Sequence, residues 1–291
     1  MRIQRFTKFL GAAAVAVMMS VAAGSYAEAQ SIAWRTDLDS ATAEARQTGK
    51  VMMVDVYTDW CEWCKVLDSK TYTDAKVIAG AQQFVALKLN PEKSSPEARF
   101  AQKYGVTGYP TILFVEGDGT LVNRVVGYVD APSFASAIAR TTEYGPKIKT
   151  YLAEFKAGTN TNARELLSML VETGRVDEAI PVFDRLRSSE SLPASFQETT
   201  ALAIARNFLD QNQYDRTLDY VKIVEDIGSR SDANWDAHFL RAIVIYYTKG
   251  KTAGIGYLDL LQANTETPSA WKERYKDLEN RMKAAKDQGS S

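Results

Sequence analysis

One stretch of the sequence decides the fold: Val51-Met52-Met53-Val54-Asp55-Val56-Tyr57-Thr58-Asp59-Trp60-Cys61-Glu62-Trp63-Cys64-Lys65. It opens with an apolar run interrupted by one acid, which is typical of a buried strand. The run leads into a Cys-x-x-Cys pair that contains the only two cysteines among the 291 residues. This spacing places both sulfurs in the first turn of a helix, where free N–H groups and the dipole stabilise a thiolate. The stretch therefore predicts a dithiol that can cycle with a disulfide.

Two other kinds of site also use such a cysteine pair. A zinc site needs four ligands, usually Cys or His, but the chain has no third cysteine and only one histidine, His238. A purely structural disulfide across so short a loop would constrain the unfolded chain little. Redox exchange is therefore the favoured interpretation. No metal is expected, nor any cofactor beyond the disulfide of Cys61 and Cys64, and His238 is expected to be structural.

The N-terminus has the pattern of a cleaved secretory signal. Three basic residues precede an apolar run over residues 9–24, and the small residues of Ala27-Glu28-Ala29 follow it. We expect residues 1–29 to be removed and the protein to be secreted across the cytoplasmic membrane. The mature protein would then work in a bacterial periplasm, where disulfide chemistry operates. An uncleaved membrane anchor is the alternative.

Composition narrows the range of partners. The 35 basic and 36 acidic residues give a formal net charge of −1, so nothing recruits nucleic acid electrostatically. The length is sufficient for two domains, and a hydrophobic content of 45% is ordinary for a globular chain.

Residues 30–146 alternate between strand and helix patterns. Strands are predicted over residues 51–56, 84–89, 111–115 and 121–126, the last two joined by a hairpin turn. Helices are predicted from Asp37 or Asp39 to near Gly49, through Lys65 and Leu67, and over about residues 95–104 and 131–140. Alternation of this kind predicts an α/β domain with a mixed sheet.

Two separated motifs resemble those of the thioredoxin superfamily. They are residues 55–65 and Val106-Thr107-Gly108-Tyr109-Pro110-Thr111-Ile112-Leu113-Phe114. The likeness runs over about residues 31–142, and it is closest to the C-terminal thioredoxin-like domain of the DsbD disulfide-interchange transporters and to related secreted proteins. It implies a thioredoxin-like fold, a mixed sheet flanked by helices. It also implies thiol–disulfide oxidoreductase activity on protein thiols and disulfides.

The resemblance also implies roles for individual residues. Cys61 would be the attacking thiolate and Cys64 the buried resolving thiol. Asp55 would match the buried acid that exchanges protons with the resolving thiol, unless it is a strand-end acid that reaches solvent. Pro110 would be a cis-proline beside the disulfide.

The same likeness predicts a substrate-binding surface. Extended substrate would pair with the main chain at Tyr109. Trp60 and Trp63 could form an apolar rim for it, although Trp60 could equally pack under the loop.

Glu62 and Trp63 stand where thioredoxin itself has Gly-Pro. The charge of Glu62 should disfavour a thiolate on Cys61 and so push the couple towards reductant. This favours a reductase, and a reductase outside the cytoplasm implies a DsbD-like membrane electron donor.

Residues 147–285 show helical periodicity only. Turns at Gly174, Asn212 and Gly250 are spaced 38 residues apart, which predicts an all-α domain of degenerate tetratricopeptide-like helix pairs. An irregular helical bundle is the alternative. The stripe Trp271, Tyr275, Leu278 and Met282 predicts a final capping helix, and residues 286–291 are expected to be a frayed tail.

We expect the helical domain to bind a protein partner or client. Two other functions stay open. One is an adaptor built on a thioredoxin scaffold whose disulfide is inactive or structural, and the other is a disulfide isomerase.

Overall fold

The computed structural model describes residues 31–159, 161–189 and 192–285. The predicted signal segment, residues 1–29, and the predicted tail, residues 286–291, lie outside the described residues. Within the described part of the chain, no helix is long and apolar enough to cross a membrane.

The first part of the chain folds around a four-stranded mixed sheet with the order β2-β1-β3-β4. Strand β1 pairs in parallel with β2 and antiparallel with β3, and β3 and β4 form an antiparallel hairpin. This confirms the predicted mixed sheet. The strands are β1 (Met52–Val56), β2 (Val85–Leu89), β3 (Thr111–Val115) and β4 (Leu121–Val126).

Five helices accompany this sheet: α1 (Leu38–Thr48), α2 (Glu62–Val66), α3 (Ala75–Ala81), α4 (Ser95–Lys103) and α5 (Ala131–Ala157). Helix α1 starts where the Asp37 side chain accepts the Ser40 N–H and stops at Gly49, which has φ +69°. A π-helical turn, Leu67–Thr71, continues α2. Sequence reasoning missed α3, although Asp74 caps it.

Helix α5 is longer than predicted, and the expected end near Arg140 was wrong. It runs through Gly145 and Pro146 to Ala157, so the proposed domain boundary at residue 146 falls inside a helix. Proline removes one helical hydrogen bond, but the second half of α5 buries Ile148, Leu152 and Phe155 in the core of the helical region. That burial outweighs the local preference to stop.

Two apolar layers cover the faces of the sheet. Alternation along β1 puts Met53 in the layer that contains Leu67 and Tyr72, and Val54 in the opposite layer. Asp55, two residues after Met53, therefore faces the layer beneath α2. This is the feature of the fold that positions the site.

The remaining described residues are helical, which confirms the predicted all-α region. The helices are α6 (Ala163–Glu172), α7 (Val176–Ser188), α8 (Ala194–Asp210), α9 (Tyr214–Ile227), α10 (Asp232–Lys249), α11 (Lys251–Ala263) and α12 (Ser269–Ala284). The predicted turns at Gly174, Asn212 and Gly250 each join the two helices of one pair, namely α6 and α7, α8 and α9, and α10 and α11. Each of these three residues has positive φ. Tetratricopeptide-like repetition stays a prediction.

The helical region lies directly against the sheet domain. The N–H of Arg124 in β4 donates to the carbonyl of Thr173, at 3.1 Å, in the turn between α6 and α7. The hydroxyl of Thr107 donates to the carbonyl of Asp210, at 3.3 Å, at the end of α8. The first two turns of the helical region thus contact the edge strand β4 and the loop that precedes β3.

Candidate active site

Cys61 and Cys64 form a disulfide with their Cα atoms 5.3 Å apart. Cys61 is the N-cap residue of α2, and its Sγ accepts the backbone N–H of Cys64 at 3.1 Å. The two residues are 5% and 2% exposed, so exposure alone hardly distinguishes them. The N-cap position distinguishes them, because a thiolate on Cys61 would accept the Cys64 N–H at the positive end of the helix dipole.

Asp55 is fully buried and does not reach solvent. Its Oδ2 accepts a hydrogen bond from the Lys88 Nζ at 2.5 Å, and the Tyr72 hydroxyl also interacts with this carboxylate. Its Oδ1 is buried and makes no direct hydrogen bond among the described residues. Lys88 stands opposite Asp55 in the parallel pairing of β1 and β2. The same ammonium donates to Asp68, on the π-helical turn, at 2.5 Å. Asp55, Lys88 and Asp68 thus form one charged cluster, which we call the Asp55 cluster.

Burial and charge act in opposite directions in the Asp55 cluster. Burial raises the pKa of Asp55 above its usual value, and the neighbouring Lys88 offsets only part of this. Burial disfavours the charged form of Lys88, but the two carboxylates outweigh it, so the pKa of Lys88 is raised. The pKa of the buried Tyr72 is raised by burial and then by the charges of Asp55 and Asp68. Asp55, Lys88 and Tyr72 therefore each hold a proton up to a higher pH than the same group would in water.

Aromatic rings surround the Lys88 ammonium. Its Nζ lies 5.0 Å from the ring centroid of Trp34, 5.3 Å from that of Tyr57 and 5.0 Å from that of Tyr72. Such contacts stabilise a cation and hold it against the carboxylates. Sequence reasoning missed Lys88. The available signal was a lysine inside the otherwise apolar strand Val85–Leu89.

Exposed aromatic side chains flank the disulfide loop. Trp60 and Trp63 are both exposed. Trp60 meets Tyr109 edge-on with ring centroids 5.8 Å apart, and Trp63 lies 5.4 Å from Tyr128. The Trp60 indole also donates to Glu92 at 2.9 Å, so it does not pack under the loop. Tyr128 and Glu92 were not among the predicted site residues.

The loop before β3 brings Tyr109 and Pro110 to the same end of the sheet. The peptide bond between them is cis. Pro110 is buried, and its carbonyl accepts the N–H of Gly127 at 2.8 Å. The pKa of the half-buried Tyr109 is raised by burial and by the charge of Glu92. The structure thus brings Tyr109 against Trp60 in the disulfide loop, with Pro110 next to it at the same end of the sheet.

Glu62 points into solvent beside this site. Its carboxylate is exposed and pairs with Lys65 at 2.6 Å. Solvent screening and this counter-charge weaken the electrostatic field of Glu62 at Cys61. Glu62 therefore has only a small effect on the stability of a Cys61 thiolate. Within the described ranges, no group of three or more His, Cys, Asp or Glu side chains is placed to hold a metal ion. His238 contacts the Tyr257 hydroxyl at 2.9 Å instead.

The sheet, the helices and the Cys-x-x-Cys pair define a thioredoxin-like class of domain. Comparison with known families agrees: residues 38–142 match the model described as a thioredoxin-like domain. This part of the chain is a thioredoxin-like domain.

Two curated relatives are disulfide-interchange proteins by name. The chain is 37% identical over 116 residues to thiol:disulfide interchange protein DsbD 1 of Pseudomonas aeruginosa, covering 39% of this chain and 20% of the relative. It is 34% identical over 107 residues to DsbD of Haemophilus influenzae, covering 36% and 18%. The chain therefore spans about a fifth of the length of these relatives.

The chain is also similar, over part of its length, to two solved structures. A putative disulphide-isomerase from Bacteroides thetaiotaomicron is 32% identical, with a TM-score of 0.36 and coverage of 39% of this chain and 95% of that one. The reduced DsbD C-terminal domain of Neisseria meningitidis is 22% identical, with a TM-score of 0.33 and coverage of 36% and 93%.

Proposed function

We propose that this protein is a thiol–disulfide oxidoreductase that reduces disulfide bonds in other proteins. One observation carries the exchange chemistry of this proposal: Cys61 caps α2 with its sulfur on the Cys64 N–H, beside a rim of exposed aromatic rings. Its direction, reduction, is what the reduction potential described below tests. A structural disulfide has no need of a thiolate-stabilising helix start or of an exposed apolar surface next to it.

The exchange takes place in two displacements. In the reduced protein, the Cys61 thiolate attacks one sulfur of a substrate disulfide, and the other substrate sulfur leaves as a thiolate. The Cys64 thiol then loses its proton and attacks the Cys61 sulfur, which releases the second substrate thiolate and forms the Cys61–Cys64 disulfide. The substrate gains two electrons and, from solvent, two protons.

We assign the proton of Cys64 to the Asp55 cluster. Asp55 lies on the face of β1 beneath α2, and its free Oδ1 can accept a proton. A carboxylate whose pKa is raised by burial is a better base than an ordinary aspartate. Lys88 and Asp68 then connect this buried acid to the surface, since Asp68 is half exposed.

We assign substrate binding to the exposed rings of Trp60 and Trp63 and to the loop before β3. An extended segment beside Cys61 would pair with the main chain at Tyr109 and pack on Trp60 and Trp63. Such contacts tolerate many sequences. They suit protein substrates that differ from one another.

We further propose that the protein works in a bacterial periplasm, draws electrons from a DsbD-like membrane donor and uses no cofactor beyond its own disulfide. The signal-like N-terminus and the DsbD relatives support this proposal. A partner bound by the helical region belongs to the same proposal.

The test is the equilibrium reduction potential of the Cys61–Cys64 couple, titrated against dithiothreitol with thiol alkylation as readout. A value near that of thioredoxin, about −270 mV, would support a reductase, and one near −120 mV would make the protein an oxidant. A couple that stays oxidised below about −300 mV would be structural and would favour the adaptor.

A trapping experiment separates the two sulfurs. Cys64→Ser should accumulate a mixed disulfide with a scrambled-protein substrate, whereas Cys61→Ser should not. Trapping by Cys61→Ser alone would reverse the assigned roles. Restored activity of a scrambled substrate without net reduction would indicate an isomerase.

A further inference from the structure

The loop that carries Tyr109 and Pro110 is fixed by contacts from both parts of the molecule. We call residues 104–110, between α4 and β3, the substrate loop, because the proposed function places substrate on its main chain. Its last residue is fixed within the sheet domain, where the Pro110 carbonyl accepts the N–H of Gly127 at 2.8 Å. Its start and its middle are fixed by groups that contact the helical region.

Arg124 connects the start of the substrate loop to the helical region. Its Nη2 donates to the carbonyl of Tyr104, the C-cap residue of α4. Carbonyls at the end of a helix lack partners within the helix, and the helix dipole favours a cation there. The main-chain N–H of Arg124 donates to the carbonyl of Thr173 at 3.1 Å, in the turn between α6 and α7. A Cβ on Gly174, in the same turn, would lie 3.2 Å from Arg124 Cβ, so this turn packs on the stem of the arginine.

Burial makes the guanidinium of Arg124 dependent on this hydrogen bond. Its Nε is buried and has no hydrogen-bond partner in the part of the chain that the structure describes. Burial lowers the pKa of Arg124, and the charge of Asp177 offsets part of this effect. Because a desolvated cation is stable only through the hydrogen bonds that it keeps, the guanidinium and the Tyr104 carbonyl fix each other's position.

The second turn of the helical region contacts the middle of the substrate loop. The Thr107 hydroxyl donates to the carbonyl of Asp210 at 3.3 Å. A Cβ on Gly105 would lie 3.4 Å from Oε1 of Gln211. The substrate loop thus passes within van der Waals distance of the turn between α8 and α9.

The same loop reaches the cysteines. Tyr109 follows Thr107 by two residues, and its ring meets the ring of Trp60, next to Cys61, with centroids 5.8 Å apart. Contacts therefore connect both turns of the helical region, through the substrate loop, with the segment that contains the disulfide.

We infer that Arg124 is a positioning residue and that the helical region holds the substrate loop in the conformation that accepts an extended polypeptide. The inference rests on the proposed function. Pairing of a substrate with the main chain at Tyr109 needs that main chain in a fixed place. Attack of Cys61 on a disulfide that has no peptide groups does not need the loop. Loosening the substrate loop should therefore slow the reduction of extended substrates alone.

The test compares two disulfides as substrates of the full-length, dithiothreitol-reduced protein. One is hydroxyethyl disulfide, which has no peptide groups, and the other is an extended peptide whose central cysteine is capped with glutathione. The first readout is the second-order rate constant for each disulfide. The others are hydrogen exchange of the amides in the substrate loop and the reduction potential of the Cys61–Cys64 couple.

Two variants loosen the substrate loop in different places. Arg124→Met keeps the aliphatic stem and the main-chain N–H but removes the guanidinium. Thr107→Val removes the hydroxyl that donates to Asp210, and because Thr107 is exposed, this variant keeps the test valid if Arg124→Met fails to fold. The matched control is Arg206→Met, an exposed arginine of α8 whose ion pair with Asp236 lies within the helical region.

We expect Arg124→Met to react about tenfold more slowly with the peptide, because a charged hydrogen bond to the loop is lost. It should react with hydroxyethyl disulfide as fast as the natural protein does. Thr107→Val should lose about threefold with the peptide, since its hydrogen bond is neutral. The amides of the substrate loop should exchange faster in both variants. The reduction potential should not change, because the N-cap of α2 is left as it is, and Arg206→Met should match the natural protein in every readout.

Three results would overturn the inference. An equal loss with both disulfides would show that Arg124 has a merely structural role. An unchanged rate with the peptide would show that these contacts do not position substrate, and an equal loss in Arg206→Met would show a general effect of changing the helical region. If the natural protein reduces neither disulfide, it is the proposed function that fails. Hydrogen exchange then still decides whether the helical region holds the loop.

Discussion

Removal of Lys88 probes the Asp55 cluster most directly. Lys88→Met keeps the length of the side chain and deletes the ammonium that is hydrogen-bonded to Asp55 Oδ2. Asp55 would then be a fully buried carboxylate whose other oxygen already has no hydrogen-bond partner in the described part of the chain. Breaking a buried pair by removing one partner costs about 3–5 kcal/mol. Because the Lys88 side chain is 15% exposed, we expect the lower end, about 3 kcal/mol.

Urea unfolding of the disulfide-bonded protein at pH 7 measures this loss. The control is Lys65→Met, which breaks the exposed pair with Glu62 and should cost at most about 0.5 kcal/mol. Adding Asp55→Asn to Lys88→Met should recover most of the stability, because the stranded charge is gone. The cost of Lys88→Met should also shrink as the pH falls, since Asp55 then takes up a proton. A loss below about 1 kcal/mol, or no recovery in the double variant, would refute the reasoning.

Three further results are expected. Asp55→Asn should raise the free energy of unfolding at pH 7, because burial raises the pKa of Asp55 in the folded protein; the gain is about 1.4 kcal/mol for each unit by which the folded pKa exceeds the unfolded one. Lys88 keeps Asp68 as its partner in this variant. In urea titrations the gain should vanish near pH 3, where Asp55 is protonated in both the folded and the unfolded state. Glu62→Gln should raise the reduction potential of the couple by less than about 20 mV, because the charge is exposed and paired, and a shift above about 40 mV in a dithiothreitol titration would contradict this. Gly174→Ala should lower Tm more than Gly228→Ala. Both glycines have φ near +70°, but a Cβ on Gly174 would lie 3.2 Å from a side chain of β4, whereas the nearest atom to a Cβ on Gly228 would be 3.9 Å away. Equal shifts in Tm would argue against close packing between the helical region and the sheet domain.

Local signals in the sequence are enough to predict most of the sheet domain. The turn Glu116-Gly117-Asp118-Gly119-Thr120 sits between two apolar runs, and the strands on either side have the predicted bounds. Helix α5 shows where local signals fail. Gly145 and Pro146 predict a stop, but a Cβ on Gly145 would lie 3.1 Å from Val122, so the glycine permits close packing of the helix on the sheet.

The residues of the candidate site also fall into two groups, those that local sequence signals reveal and those that they do not. The cysteine pair and Asp55 follow from a single stretch of chain, and so they are visible in the sequence. Lys88 becomes the partner of Asp55 only through the parallel register of β1 and β2, which no local pattern specifies. Tyr128 reaches Trp63 by the same kind of long-range placement. Partners set by register or by packing are therefore the ones that sequence reasoning missed.

The hydrogen bond from Arg124 to Thr173 also bears on solubility. Strand β4 is the outer strand of the sheet, and the outer strand of a sheet offers unpaired N–H and C=O groups to any other extended chain. Here the turn between α6 and α7 occupies one of these positions. The helical region thus covers part of the exposed edge of the sheet and hinders strand-to-strand aggregation. A protein truncated within α5 would lose this cover and half of a helix, and we expect it to aggregate more readily.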